Sequence, residues 1–151
     1  MKKKFIIIAL IIIVLLILGC FIYLDFFNQS NVIKVGNSNF TIPDGYHKGE
    51  VNEFGALSIT NGSNSIYLSE NNGTDVQGYI NIYGNILKEK NESINVTSLN
   101  IDNFEIFKVT SVNNTNNVHY FFINNNKTYD IYTWGSNDKL DRVIINLIES
   151  L

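Results

Sequence analysis

An uncharged apolar segment near the N-terminus is the strongest constraint on how this 151-residue chain folds. Residues 5–24 read FIIIALIIIVLLILGCFIYL, and Lys2, Lys3 and Lys4 precede them. As a helix, a segment of this length spans roughly 30 Å, the thickness of the hydrocarbon core of a bilayer. A water-soluble domain of modest size rarely buries every face of so long a helix. The sequence therefore predicts a transmembrane anchor at residues 5–24, with residues 1–4 as a basic cytoplasmic end.

The same segment has a second interpretation as an export signal. A basic start followed by an apolar run is also typical of a secretory signal peptide. The sequence Ile17-Leu18-Gly19-Cys20 resembles a lipoprotein-type signal, which makes Cys20 a candidate for lipidation. The residues after Cys20 are apolar where lipoproteins usually carry a polar tether, so an uncleaved single-pass helix is favoured. Both interpretations predict that the chain sits at the cell membrane with residues 25–151 outside the cytoplasm.

Charge and cysteine content restrict the exported part of the chain. Residues 26–151 contain eight basic and thirteen acidic side chains, a net charge of −5, which disfavours nucleic acid as a partner. No cysteine lies beyond Cys20, so disulfide bonds and thiol nucleophiles are excluded from this part. Its stability must therefore come from a hydrophobic core, for which its length is sufficient.

Asparagine is abundant and creates eight N-x-S/T sequons, the acceptor sites of N-glycosylation. Chance alone gives about four sequons in a chain of this composition, so the excess is mild. Both glycosylation of an exposed surface and accidental sequons remain open. The candidate acceptors are Asn28, Asn39, Asn61, Asn72, Asn91, Asn95, Asn113 and Asn126.

Hydrophobic periodicity predicts strands on both sides of a helix. Alternation of apolar and polar residues predicts strands within 32–42 and a hairpin within 56–69. Apolar residues then recur at helical spacing from Val76 to Leu87, which predicts a helix over about 75–90. Four further strands follow within residues 94–134, separated by Asn-rich turns. Helical spacing from Leu140 to Leu151, behind good N-cap residues, predicts a terminal helix.

These elements together predict an α+β fold. Strands with hairpin-length links and two amphipathic helices favour an antiparallel sheet that the helices cover. The full prediction is an N-terminal transmembrane helix followed by one antiparallel β-sheet domain covered by about two helices. Residues 25–31 are predicted to form a short stalk and residues 32–151 the extracytoplasmic domain.

Two segments resemble a known fold family. Residues 40–46 (FTIPDGY) lead a strand into a Pro-Gly turn, and residues 129–132 (YDIY) run into the closing amphipathic helix. Over about residues 32–151 the chain resembles the PsbP-like fold, and it also resembles short membrane-anchored surface proteins of methanogenic archaea. Because the matching motifs are structural, the resemblance implies a fold and not a chemistry. PsbP-like proteins are mostly non-catalytic accessory or assembly factors, and the resemblance identifies no site residue.

Candidate catalytic and metal-binding groups are sparse. The two histidines, His47 and His119, have no G-x-S-x-G elbow or comparable signature beside them. Residues 70–75 offer oxygen donors around a glycine but lack the spacing of a calcium loop. His47 lies near Glu50 and Glu53 on an unassigned loop, which is weak evidence for a metal site. We therefore expect no catalytic residue, no metal and no cofactor.

Aromatic residues crowd two neighbouring predicted strands. Because side chains alternate along a strand, Tyr120 and Phe122 lie on the face opposite Phe121. One set is expected to pack under the helices, and the other to line a surface or groove that binds a ligand. The candidate aromatic binding surface consists of Tyr120, Phe122, Tyr132 and Trp134.

The combined features predict a non-catalytic, membrane-anchored cell-surface protein whose extracytoplasmic domain binds an envelope protein or an envelope glycan. The alternative is an accessory or sensory subunit of a membrane complex, in which the anchor contacts the partner. A third interpretation, an envelope hydrolase, requires a pocket that gathers His47 or His119 with a serine and an acid.

Overall fold

The computed structural model describes residues 13–17, 31–113, 117–134 and 138–151. Residues 13–17 are helical. Val32–Leu151 forms a compact unit that is distinct from Met1–Asn31. The strands of this unit are β1 (Val32–Val35), β2 (Ser38–Thr41), β3 (His47–Lys48), β4 (Leu57–Thr60), β5 (Ser65–Asn71), β6 (Ile94–Ile101), β7 (Phe104–Ser111), β8 (Asn117–Asn124) and β9 (Lys127–Trp134). Its helices are α1 (Val76–Glu89) and α2 (Asp138–Glu149).

A seven-stranded antiparallel sheet forms the centre of the described fold. Its strand order is β3-β4-β5-β9-β8-β7-β6, while β1 and β2 pair separately as a two-stranded sheet. The chain builds the sheet from hairpins, β4–β5, β6–β7 and β8–β9, and β9 joins β5 to the rest. The C-terminal strand β9 therefore lies in the middle of the sheet, between β5 and β8.

The terminal helix α2 packs on one face of the sheet together with the β1–β2 hairpin. Leu140, Ile144, Leu147 and Ile148 are buried, and their spacing gives α2 a continuous apolar stripe. They join the main core, which includes Tyr120 and other inward residues of the central strands. Burying each such aliphatic side chain stabilises the fold by about 1.5–3 kcal/mol.

Helix α1 packs on the opposite face of the sheet. Val76 and Ile80 form a second, smaller core with Val109 of β7 and Phe121 of β8. The helix begins where Asp75 Oδ1 accepts a hydrogen bond from Gly78 N at 2.8 Å, an N-cap interaction. Because α1 packs over β7 and β8, the neighbouring strands β9 and β5 carry side chains that the helix leaves partly exposed.

The predicted fold class is wrong in two respects. The described part of the chain is mostly β-sheet, with 44% strand in two sheets and three short helices, whereas the sequence predicts an α+β domain with one sheet. Alternation along β1 and β2 predicts strands but not their partners, and these two strands pair with each other instead of joining the larger sheet. The expected N-terminal transmembrane helix is not seen in the residues that the structure describes. No helix among the described residues is long and apolar enough to cross a membrane, and of the predicted anchor only residues 13–17 are described.

Candidate functional site

A cleft of about 570 Å³ lies on the α1 face of the sheet, over β5, β9 and β8. Its floor comes from the strands and its walls from α1 and from the loop that contains Asn52 and Phe54. It exists because α1 packs on Val109 and Phe121, beside β9 rather than over it. We call it the aromatic cleft, defined by Tyr67, His119, Tyr132 and Trp134.

Three stacked rings form the floor of the aromatic cleft. Tyr67 of β5 is the register partner of Tyr132 of β9, and Tyr132 is the partner of His119 of β8. The ring centroids of Tyr67 and Tyr132 are 5.1 Å apart at 17°, and those of Tyr132 and His119 are 5.1 Å apart at 20°. Cross-strand pairing thus sets three nearly parallel rings in a row, each offset-stacked against the next, and we call this row the platform.

Large apolar side chains line the mouth of the cleft and remain exposed to solvent. Phe54 in the wall loop is 83% exposed and Trp134 at the end of β9 is 62% exposed. Ile82 and Ile86 of α1 also line the cleft and are exposed. Clustered exposed apolar side chains beside a concave site are typical of a binding surface.

Hydrogen bonds hold the wall loop and the platform in place. Asn52 Nδ2 donates to Tyr132 Oη at 2.6 Å, and Asn52 Oδ1 accepts from the backbone N–H groups of Phe54 and Ala56. One asparagine therefore fixes both the conformation of the loop and the hydroxyl end of a platform ring. Such a preorganised site loses less conformational entropy when a ligand binds.

His119 and Asp130 form a polar pair within the cleft. Nδ1 of His119 lies 3.0 Å from both carboxylate oxygens of Asp130. An ionised carboxylate only accepts hydrogen bonds, so Nδ1 of His119 carries a proton and donates it to Asp130. Asp130 therefore orients the platform imidazole.

Two buried polar atoms of the cleft have no hydrogen-bond partner among the described residues. They are Oη of Tyr83, whose ring centroid lies 4.2 Å from that of His119, and Oδ1 of Asn117. Burial, followed by the charges of Asp130 and Glu92, raises the pKa of Tyr83 to about 12. Burial also raises the pKa of Tyr132. Both hydroxyls therefore stay protonated at neutral pH.

The charge of the lining selects against anionic ligands. Glu53 and Asp130 contribute carboxylates, and the lining of the cleft contains no lysine or arginine among the residues that the structure describes. A phosphate or another anion would meet repulsion without a compensating cation.

The cleft gathers the residue types that a hydrolase needs, and the His119–Asp130 pair matches one of the two hydrogen bonds of a catalytic triad, but Ser69 does not bond the histidine. Ser69, His119 and Asp130 all line it. The Ser69 hydroxyl donates to the backbone carbonyl of Asp130 at 3.4 Å, and in the described part of the chain no serine hydroxyl bonds the His119 ring. The other histidine, His47, is exposed in β3. The expectation that the chain has no catalytic residue therefore stays a prediction.

The structure separates the four aromatic residues of the predicted binding surface. Tyr132 and Trp134 lie in the cleft, whereas Tyr120 and Phe122 are fully buried in the main core on the α2 face. The reason is the register: Tyr132 pairs with His119, which shares a face with Phe121 and not with Tyr120. Tyr120 and Phe122 therefore do not belong to the binding surface.

The modification candidates fall into two groups. Cys20 and Asn28 lie outside the described residues. The other predicted acceptors are all exposed in the structure: Asn39, Asn61, Asn72, Asn91, Asn95, Asn113 and Asn126. None of them lines the aromatic cleft, so glycans on them would leave the cleft accessible.

Sequence reasoning missed Tyr67, Asn52 and the role of His119. Tyr67 alternates with the buried residues Ile66 and Leu68, which marks it as a residue of the opposite face. Its distance from Tyr132 depends on the pairing of β5 with β9, which are far apart in sequence, and no local pattern specifies that pairing.

No protein-family model matches this chain, and no curated protein matches it either. The resemblance to the PsbP-like fold therefore remains a prediction from the sequence.

Proposed function

We propose that this chain is a non-catalytic, extracytoplasmic binding protein of the cell surface that takes a neutral envelope glycan in the aromatic cleft. The observation that carries the proposal is the platform of Tyr67, Tyr132 and His119, stacked at 5.1 Å and bordered by the exposed Trp134. The location at the cell surface rests on the basic and apolar N-terminal sequence.

A pyranose ring matches the chemistry of this cleft. Its faces carry C–H groups that pack on an exposed aromatic face such as that of Trp134, while its hydroxyls project sideways as donors and acceptors. Around the platform, Asp130 offers acceptors and the protonated Tyr132 hydroxyl offers a donor. The volume of about 570 Å³ lies within the range of small-ligand sites.

Other ligand classes fit the site less well. Nucleotides also stack on aromatic rings, but their phosphates would meet Glu53 and Asp130 and a domain with a net charge of −5. A protein partner would use the exposed Phe54 and Trp134, yet it would not need the polar groups of Asp130 and Tyr132 on the floor of the cleft.

The single tryptophan of the chain makes this proposal directly testable, because Trp134 lies at the mouth of the cleft. Full-length protein is titrated with maltohexaose, cellohexaose and chitohexaose while Trp134 emission and the heat of binding are followed. We expect at least one neutral oligosaccharide to change the emission saturably. The bound oligosaccharide should remain intact after prolonged incubation, and its cleavage would contradict the non-catalytic part of the proposal.

Removal of the platform rings provides the decisive comparison. Tyr67→Ala and Tyr132→Ala should each weaken binding about tenfold, which corresponds to ~1.4 kcal/mol. Tyr46→Ala removes a half-buried tyrosine outside the cleft and should leave the affinity unchanged. The absence of any response across the sugar panel, or undiminished binding by both platform variants, would refute a glycan site here.

A further inference from the structure

The outer strand β6 is an open edge of the large sheet. It ends the strand order next to β7, and no described strand pairs with its other side. Its eight residues, INVTSLNI, contain neither a charged residue nor a proline, and its register with β7 runs without a bulge from Ile94 to Ile101. The opposite edge differs, because β3 has only two residues and includes Lys48.

Natural proteins normally protect a long edge strand against pairing with another chain. Charged side chains, prolines, bulges and very short strands are the usual devices. At β3 the sheet uses a short strand with a lysine, and at β6 it uses none of these devices. An unprotected edge of this length offers an ordered row of backbone donors and acceptors to another strand.

The hairpin register identifies which backbone groups face outward. Val112 N donates to Ser93 O at 2.8 Å, so this pair just beyond the strands is hydrogen-bonded. Hydrogen-bonded and non-bonded pairs alternate along an antiparallel ladder. The residues of β6 whose N–H and C=O groups point away from β7 are therefore Ile94, Val96, Ser98 and Asn100.

We propose that β6 is the interface of a homodimer, in which the β6 strands of two copies pair antiparallel and join two sheets into one. The lack of charge argues for a second copy as the occupant. A two-fold axis places each residue near the axis close to its own counterpart, so any charge there would meet the same charge. A strand without charges meets no such repulsion in any two-fold register.

The geometry also specifies the centre of the dimer. The axis that joins two such edges runs perpendicular to the sheet, so paired residues must lie on the same sheet face. A two-fold axis at Thr97 satisfies this rule. It also allows all the outward N–H and C=O groups to form hydrogen bonds, because Val96 pairs with Ser98 of the second copy and Ile94 with Asn100. Thr97 then faces Thr97 of the second copy in a non-hydrogen-bonded pair, with Cα atoms about 4.5 Å apart.

Disulfide trapping in the full chain tests this interface. Cys20 is first replaced by serine, so that an introduced cysteine is the only thiol. Val96→Cys, Thr97→Cys and Ser98→Cys are then oxidised mildly and run on non-reducing gels. We expect most of the Thr97→Cys chain to form a covalent dimer, since the separation falls within the range that a disulfide bridges.

A matched control for Val96 lies on the same sheet face, in an interior strand. Ile123 of β8 is 41% exposed and Val96 is 42% exposed, but Ile123 is not at an edge. Ile123→Cys should remain monomeric. Equal crosslinking at Ile123, or none at any of the three β6 positions, would overturn the proposal.

Two variants of β6 distinguish crosslinking through a specific interface from crosslinking through random collisions. Ser98→Pro, combined with Thr97→Cys, removes an outward N–H that β7 does not use and should abolish the crosslink while the fold remains intact. If circular dichroism shows that Ser98→Pro does not fold, Val96→Lys is used instead, because it introduces like charges near the axis. A crosslink that persists in a folded edge variant would show that the contact lies elsewhere. Capture of a different protein at β6, with this chain monomeric, would overturn the choice of a second copy.

Discussion

Asparagine occupies the left-handed backbone region at three described positions of this chain, because it tolerates that conformation. Asn125 and Asn126 join β8 to β9 with φ values of 50° and 59°. Asn91 has φ 58° just after α1, where Asn91 N and Glu92 N donate to the carbonyls of Lys88 and Leu87. These two hydrogen bonds form a Schellman motif, which ends the helix. At these positions asparagine therefore has a role in the backbone conformation, independently of the sequons that an Asn-rich composition creates.

The turn between β8 and β9 gives a prediction at the residue scale. For a residue with a Cβ other than asparagine or aspartate, the left-handed conformation costs about 1–2 kcal/mol. Asn126→Ala should therefore lower the free energy of unfolding by about 1 kcal/mol, whereas Asn126→Gly should change it by less than about 0.5 kcal/mol. Urea unfolding of protein made in a non-glycosylating host measures both variants.

The control for this prediction is another exposed sequon asparagine with an ordinary backbone. Asn39 lies in β2 and is exposed, and its φ is not positive. Asn39→Ala should therefore unfold near the wild-type urea concentration. If alanine and glycine at position 126 cost the same, the side chain of Asn126 and not its φ would be the stabilising feature.

At the scale of elements, local patterns predicted the helices well and the strand pairing poorly. The spacing of Val76, Ile80 and Leu87 predicted α1, and the apolar stripe from Leu140 onward predicted α2; both helices are confirmed. These signals are local, because each is contained in a window of about 11–18 residues. Pairing of β5 with β9 joins residues about sixty positions apart, and it is this pairing that places Tyr67 beside Tyr132. The fold class and the composition of the cleft therefore required the structure.

One carboxylate attaches the β1–β2 hairpin to the large sheet. Glu70 of β5 accepts a hydrogen bond from Tyr129 Oη at 2.5 Å and from Asn37 N, in the hairpin turn, at 2.8 Å. The Tyr129 hydroxyl first and the Asn37 N–H second hold the pKa of Glu70 below its ordinary value of 4.5. The ionised carboxylate is therefore the form that stabilises the fold.

This attachment predicts a specific dependence of stability on pH. Because the pKa of Glu70 is lower in the folded state, its contribution is fully present above pH 4.5 and is lost as the pH falls through the lowered pKa. The difference in urea midpoint between wild type and Glu70→Gln should therefore be constant above that pH and shrink below it. Glu50→Gln, in an exposed loop, is the control and should show no such convergence. A wild-type advantage that persists unchanged at low pH would refute the role of the ionised form.

At the scale of the whole molecule, the two proposals have a joint geometric consequence. A two-fold axis perpendicular to the sheet keeps the same face of both copies on the same side. The aromatic cleft opens on the α1 face, so a β6-linked dimer presents two clefts in one direction. Two sites that face one surface engage a repetitive polymer simultaneously, and the second binding event is then intramolecular.

The dimer is therefore expected to gain affinity for a polymer but not for a short ligand. Wild type and Val96→Lys should bind a soluble hexasaccharide equally, because Val96 lies outside the cleft. On an immobilised polysaccharide of the same repeat, wild type should bind at least about tenfold more tightly, given that avidity reaches roughly 10²–10⁴ where the geometry permits both contacts. Calorimetry measures the first affinity and surface plasmon resonance the second. Equal binding of the polymer by a crosslinked dimer and by the monomeric variant would mean that the two clefts do not act together, even if each proposal holds separately.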